Sequence, residues 1–173
     1  MNRKINVVLY EPEIYNNVGS IMRTCALTNA KLHLIEPFGF IFDKRNFARS
    51  SANNFEHCEY VRYDDGNDFL SQNQNPKMFY LTRYGKKPIS DFKFSEIDDE
   101  IFLVFGREST GIPKEILKQN KENCFRLPMA DFGRSLNISI TVGVSVYEVL
   151  RQGDYLDLSK VEVEKGEDYL DRD

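Results

Sequence analysis

An α/β domain, with a largely parallel sheet flanked by helices, is the fold this sequence predicts, and three observations predict it. Short runs rich in β-branched and aromatic residues recur at Ile5 to Tyr10, Lys31 to Ile35, Tyr60 to Tyr63, Met78 to Thr82 and Ile101 to Phe105. Stretches of helical apolar spacing alternate with them, as crossover helices do over a parallel sheet. The 173 residues, 41% hydrophobic, suffice for one domain with a proper core.

Taken in order, the first strand stops at Glu11-Pro12, where the ladder loses a donor. Asn17 is placed to cap a helix from about Val18 to Thr28, with Ile21, Met22, Cys25 and Ala26 as its apolar stripe and Asn29 as its stop. Arg23 lies off that stripe. The second strand closes at Glu36-Pro37, and a loop rich in Phe and Gly leads to Asp43 to Asn53, whose Lys44, Arg45 and Arg49 form either a phosphate-contacting patch or a solvated helix face. Asn67 to Ser71 is the centre of a helix bounded by turn-forming residues. After the fourth strand, Arg83, Tyr84, Gly85, Lys86 and Lys87 make a basic loop with an aromatic, an RNA contact or an ordinary solvated turn. Ile101 to Phe105 is the most continuous central strand. Gly106 to Gly111 is the loop at its carboxyl end, and Pro113 suits the first turn of a helix through about Gln119.

The C-terminal third centres on Arg126 to Glu148. Phe125 and Leu127 end a strand that Pro128 halts, and the polar turn Ala130 to Asn137 is where a rigid scaffold would carry binding side chains. Beyond it, Ile138, Ile140, Val142, Val144 and Val146 alternate as in a strand, while Ile138, Val142, Val146, Val149 and Leu150 recur at helical spacing. Length and the Gly153 stop decide for a buried helix, capped by Asn137. Its small pairs, Ser139 with Gly143 and Thr141 with Ser145, allow close backbone approach on two faces.

Residues 1–152 form the predicted domain and 153–173 an acidic tail. The tail holds eight acids and three bases, a balance of −5, so the chain's net −4 leaves the remainder at +1. Global charge therefore gives no sign of a nucleic-acid partner, although a local basic face is compatible with it. No apolar run approaches the roughly 20 residues of a membrane span and the N-terminus lacks signal-peptide anatomy, so the expected location is cytoplasmic. Cys25, Cys58 and Cys124 are odd in number and far apart in sequence; they read as reduced packing residues. With only His33 and His57 beside them, no Cys/His cluster has metal-ligand spacing.

Two tempting motifs fail. Gly106 and Gly111 have the spacing of a phosphate-binding P-loop, but Ile112-Pro113 follow where that mechanism needs Lys and Ser or Thr. Asp131-Phe132-Gly133 spells a kinase metal motif without the glycine-rich loop or catalytic-loop partner that kinases require. Three other stretches, in order, carry a resemblance: NVGSIMRTC at 17–25, LVFGRESTGIP at 103–113 and RLPMADFGRSLNISITVGVSVYE at 126–148. Together they resemble the three motifs of the SPOUT, or knotted, RNA methyltransferases. NVVLYEPEIYNNVGSIMRTC at 6–25 and LHLIEPFGF at 32–40 are most similar to the small tRNA 2'-O-methyltransferases of the TrmL type, and the likeness extends to about Gln152.

The resemblance implies a C-terminal trefoil knot, which periodicity could not foretell, and a homodimer that binds tRNA across both subunits. It implies transfer of a methyl group from S-adenosylmethionine to the ribose 2'-hydroxyl of the wobble nucleotide, cytidine or modified uridine 34, with no metal. Leu81, Gly106, Leu127, Ser135 and Asn137 correspond to the cofactor-binding set, where glycines let backbone approach a ligand and strand-end backbone groups can read an adenine edge. Arg23 corresponds to the catalytic arginine. A guanidinium is an awkward general base, so its expected role is to orient and electrostatically activate the hydroxyl. Asn17 and Glu108 correspond to positions that organise the site, Glu108 by anchoring Arg23 or a nearby backbone N–H. Tyr147 corresponds to a functional tyrosine that contacts RNA. Ile140 stands where the pattern often has Asn. A ribosomal-RNA 2'-O-methyltransferase and a non-catalytic RNA-binding module of the same fold are the alternatives.

Overall fold

The computed structural model describes residues 4–155 and 157–172. Seven strands form one sheet: β1 (Ile5–Tyr10), β2 (Lys31–Ile35), β3 (Tyr60–Tyr63), β4 (Lys77–Leu81), β5 (Lys87–Pro88), β6 (Ile101–Phe105) and β7 (Cys124–Arg126). Their order is β3-β2-β1-β6-β4-β7-β5 and every pairing is parallel. Parallel strands require crossovers, which cover both faces of the sheet and explain why β6 is buried along its whole length.

Five helices supply the cover: α1 (Tyr15–Leu27), α2 (Lys44–Ser50), α3 (Gly66–Gln72), α4 (Lys114–Gln119) and α5 (Ile138–Gln152). Alternation along the strands sends Val7, Leu9, Leu103 and Phe105 to one face, where Ile21 and Met22 of α1, Phe47 of α2 and Val142 and Val146 of α5 meet them. Val8, Val104 and Cys124 turn to the other, against Phe69 of α3 and Ile116 and Leu117 of α4. Gly19 lets α1 and α2 touch, since a Cβ there would lie 1.9 Å from Ser50 Oγ.

Several expectations need correction. Helix α1 starts at Tyr15, two residues before Asn17, so Asn17 sits in its first turn and does not cap it. The Gly153 stop holds, with Gly153 the C-cap of α5 at φ −92°, while Asp154 and Tyr155 after it are left-handed; Tyr155 N–H bonds Leu150 O at 2.8 Å as its ring packs onto the core. The same helix is buried on one face only: Ile140, Val144 and Tyr147 are 54%, 47% and 51% exposed. Strand β5, only two residues long, falls at the end of the basic loop, below the length at which a pattern is visible. Cys25 and Cys58, remote in sequence, meet in the core. The hydrogen bond with the Cys58 thiol, reinforced by burial, holds Cys25 well above the ordinary thiol range. In the tail, Tyr155 and Leu158 pack on the core; Leu156 lies outside the described residues.

Candidate active site

The three resembling stretches converge at the carboxyl ends of the strands. The loop after β6 turns back on itself: Arg107 and Gly111 bridge through N–H···O contacts of 3.3 and 2.9 Å, with Gly111 at φ +72°. A Cβ on Gly106 would stand 2.2 Å from Gly111 C and Ile112 N, so only glycine permits this turn. The loop is then fastened to the segment that leads into α1. Glu13 N–H donates to Glu108 Oε2 at 2.9 Å and Ile14 N–H to Oε1 at 3.2 Å. In return Glu13 accepts from Ser109 N–H and Oγ, both at 2.8 Å, and Arg107 pairs with Glu11. Helix α1 has no side-chain cap of its own, and the Glu108 carboxylate fills that office from another element, placing negative charge at the helix N-terminus.

Asn17 is the hinge of the arrangement. Its Nδ2 donates to Glu108 Oε1 at 3.0 Å, and its Oδ1 accepts from Asn137 Nδ2 at 3.0 Å. Asn137 in turn caps α5, its Oδ1 accepting from Ser139 N–H at 2.8 Å and Oγ at 2.7 Å. One directed relay, Asn137 to Asn17 to Glu108, thus joins the start of α1, the loop after β6 and the start of α5. Each link is tied in turn to backbone, Glu108 to the start of α1 and Asn137 to the start of α5, so the three segments are held together.

Leu81, Gly106 and Leu127 fall at the ends of β4, β6 and β7, which are consecutive in the sheet, so their backbones line an edge roughly 10 Å wide at the usual strand spacing. Leu127 is buried and Leu81 half-buried, while Ser135 is exposed on the segment between β7 and α5. Arg126 Nε, beside Leu127, is buried without a hydrogen-bond partner among the described residues. An orphaned donor at that edge fits a ligand bearing an acceptor group, and the apolar and backbone lining fits a nucleoside. Arg23 projects from the exposed side of α1 with no hydrogen bond or ion pair among the described residues. Of the two anchoring roles expected for Glu108, the structure shows the one toward backbone: Glu108 accepts from the Glu13 and Ile14 N–H groups and from Asn17, and makes no ion pair with Arg23 among the described residues. Tyr147 is on α5, half in solvent, and is not part of the relay.

Sequence reasoning missed Glu11, Glu13, Arg107 and Ser109. Glu11-Pro12-Glu13 precedes the first motif and carried a signal only as a cluster of acids, since nothing local says which loop they face. No group of three or more His, Cys, Asp or Glu with metal-site geometry occurs among the described residues, and none of their helices is long and apolar enough to cross a membrane.

Comparison with known proteins identifies the family. A relative from Escherichia coli strain K12 named tRNA (cytidine(34)-2'-O)-methyltransferase is 39% identical over 152 residues, covering 87% of this chain and 95% of its own. One from Geobacillus stearothermophilus, provisionally given the same name, is 44% identical over 155 residues, covering 90% and 99%. A solved structure described as giving insight into 2'-OH methylation of C/U34 on tRNA superposes with TM-score 0.80 at 30% identity, over 88% of this chain and 98% of that one. The fold alone is shared with a SpoU methyltransferase from Streptomyces viridochromogenes in complex with AdoMet, at TM-score 0.74 and 21% identity over 87% of this chain and 60% of that one. Residues 4–147 match the SpoU rRNA Methylase family, and this chain belongs to it.

Proposed function

We propose that this protein is an S-adenosylmethionine-dependent tRNA 2'-O-methyltransferase acting on the ribose of nucleotide 34. The relay that binds Asn17, Glu108 and Asn137 carries the reading, since it unites the three segments on which the chemistry depends. The cofactor would lie along the ends of β4, β6 and β7, against Leu81, Gly106 and Leu127, with Ser135 and Asn137 at its side. Bound there, it supplies an electrophilic methyl group on a sulfonium.

The chain's own residues deal with the other reactant. A ribose hydroxyl is a weak nucleophile at neutral pH, and Arg23, a permanent cation without an internal partner, stabilises negative charge as it develops on that oxygen. Arg23 does not take the proton; a phosphate oxygen of the substrate receives it as the oxygen–methyl bond forms and the sulfur–methyl bond breaks. Glu108 and Asn17 are positioning residues that hold the start of α1, and Tyr147 supplies an aromatic ring and hydroxyl to RNA.

The protein works as a homodimer in this reading. Ile140 and Val144 are exposed at helical spacing on α5, with Leu136 and Phe132, the latter at 90% exposure, in the segment that leads into it; a second copy would cover these apolar side chains. The C-terminal segment would form the trefoil knot, and the site of action is the cytoplasm, where tRNA is modified.

The test is Arg23→Ala. Methyl transfer to tRNA is expected to fall at least a hundredfold, while donor binding by calorimetry stays within about threefold, as loss of transition-state stabilisation requires. Unchanged turnover removes Arg23 from the mechanism. Mapping the product on tRNA and on rRNA separates the two substrate classes, and absence of donor binding by the wild type would make the protein a non-catalytic binder.

A further inference from the structure

A cleft of about 920 Å³ opens on the face of the sheet opposite α1 and α5; it shares Glu11, Arg107 and Gly111 with the loop contacts described above and contains none of the residues assigned to catalysis or to cofactor binding. Its floor is apolar, with Tyr10, Ile112, Leu117 and Cys124 of the second core cluster. Its walls are cationic. Lys86 and Lys87 come from the loop after β4, Arg107 from the loop after β6, and Lys114, Lys118 and Lys121 from α4 and the turn that follows. Only Glu11 and Glu122 oppose these six bases, so the cleft carries +4 in a chain whose formal net charge is −4.

Of the six, Arg107 is neutralised by Glu11, and Lys87 by Glu122 at 3.1 Å. Lys86, Lys114, Lys118 and Lys121 have no ion pair among the described residues. Four unneutralised ammonium groups around one cleft, from two separate stretches of chain, match a polyanion, since a single small anion could engage only part of the set. Tyr84, 77% exposed, stands at the rim as a face on which a base can stack. Arg107, Thr110 and Gly111 of the loop after β6 line the cleft, while Glu108 of the same loop holds the start of α1.

We propose that this cleft binds the sugar-phosphate backbone of the substrate RNA beside the nucleotide that is methylated, with Tyr84 stacking on one of its bases. The inference rests on the RNA-methyltransferase reading and adds to it a surface on the far side of the sheet. It also accounts for RNA recognition by an acidic protein, because the negative charge is concentrated in residues 153–173 and the cleft has its own sign.

The experiment compares full-length wild type, the triple variant Lys114→Ala, Lys118→Ala, Lys121→Ala, and Tyr84→Ala. Binding of tRNA and of an isolated anticodon stem-loop is measured by fluorescence anisotropy over a range of salt concentration, and donor binding by calorimetry in parallel. The triple variant should bind tRNA at least thirtyfold more weakly at 0.1 M salt, with the slope of log affinity against log salt reduced by about two to three. Tyr84→Ala should weaken binding about tenfold with little change in slope. Donor affinity should stay at the wild-type value, which also shows that the variants are folded. Equal tRNA affinity and slope in triple variant and wild type would overturn the proposal, as would polyglutamate competing for the cleft as well as RNA of equal charge, which would assign it to an acidic peptide. Cleft-dependent RNA binding by a wild type that never methylates would support the proposal and defeat the methyl-transfer reading alone.

Discussion

Lowering the pH from 7 to 4.5 should withdraw about 2 kcal/mol from this fold through one buried ring, His33. The imidazole is 1% exposed and sits among Tyr63, Phe69 and Phe102 at centroid distances of 5.4 to 5.7 Å. Its hydrogen bonds run in one direction. Asn6 Nδ2 donates to Glu100 Oε2 at 3.1 Å, so Asn6 Oδ1 faces His33 Nε2 at 2.9 Å and must accept; Nε2 therefore carries the proton. Nδ1 then accepts from Tyr63 O–H at 2.8 Å, and the Tyr63 oxygen accepts from Asn73 Nδ2 at 3.2 Å. A second proton on Nδ1 would break this chain inside the core. Burial first, then the Lys31 charge, lowers the ring from 6.5 to about 4, with Lys4 adding to the effect and Glu59 opposing it.

The sign follows from which state takes up the proton. Between pH 6.5 and about 4 the unfolded chain binds a proton at His33 that the folded chain refuses, so stability is full above this window and is lost as pH falls through it. The whole shift corresponds to about 3 kcal/mol, most of it gone by pH 4.5. Urea unfolding of wild type and His33→Gln at both pH values isolates the effect, because carboxylate titrations are common to the two proteins. The wild type should lose about 2 kcal/mol more than the variant, or roughly 4–8 °C in Tm. Parallel losses in the two proteins, or a His33 ring resonance that titrates near 6.5, would refute the reasoning.

Other consequences concern the site and the surfaces. Asn17→Ala removes the donor to Glu108 and the acceptor for Asn137, and should cost about 2 kcal/mol in urea unfolding, with turnover reduced at least tenfold. Gly106→Ala forces the loop after β6 open, since its Cβ would overlap Gly111 and Ile112; donor affinity by calorimetry should fall tenfold or more. Ile140→Asp combined with Val144→Asp should convert the proposed dimer to a monomer in sedimentation while leaving the thermal melt cooperative. Cys25, fully buried and held above the ordinary thiol range, should resist thiol reagents at pH 8 until urea unfolds the chain.

Strands and helices were legible in the sequence wherever the cause is local. β-branched runs broken by Pro and Gly placed β1, β2, β3, β4 and β6 within a residue, and the length of the apolar run from Ile138 to Leu150 with its Gly153 stop outweighed the strand-like alternation, as α5 bears out. Asn137 was legible as a cap because a cap reaches only two or three residues along its own chain. Asn17 was misread by the same logic. A side chain followed by an apolar helix looks like a cap, and only the arrival of Glu108 from 91 residues away released it for another role.

The sequence by itself determined the element order, the parallel class of the sheet and the three segments that carry the family likeness, because periodicity and turn chemistry act over a few residues. Tertiary structure alone decided which groups meet. It brought Cys25 to Cys58, settled Glu108 on the backbone at the start of α1, and left one face of α5 uncovered. It also gathered lysines from two separate stretches into one cationic cleft in an acidic chain. Those partnerships depend on the packing of crossover helices on a twisted sheet, and no local window of residues contains that distance information.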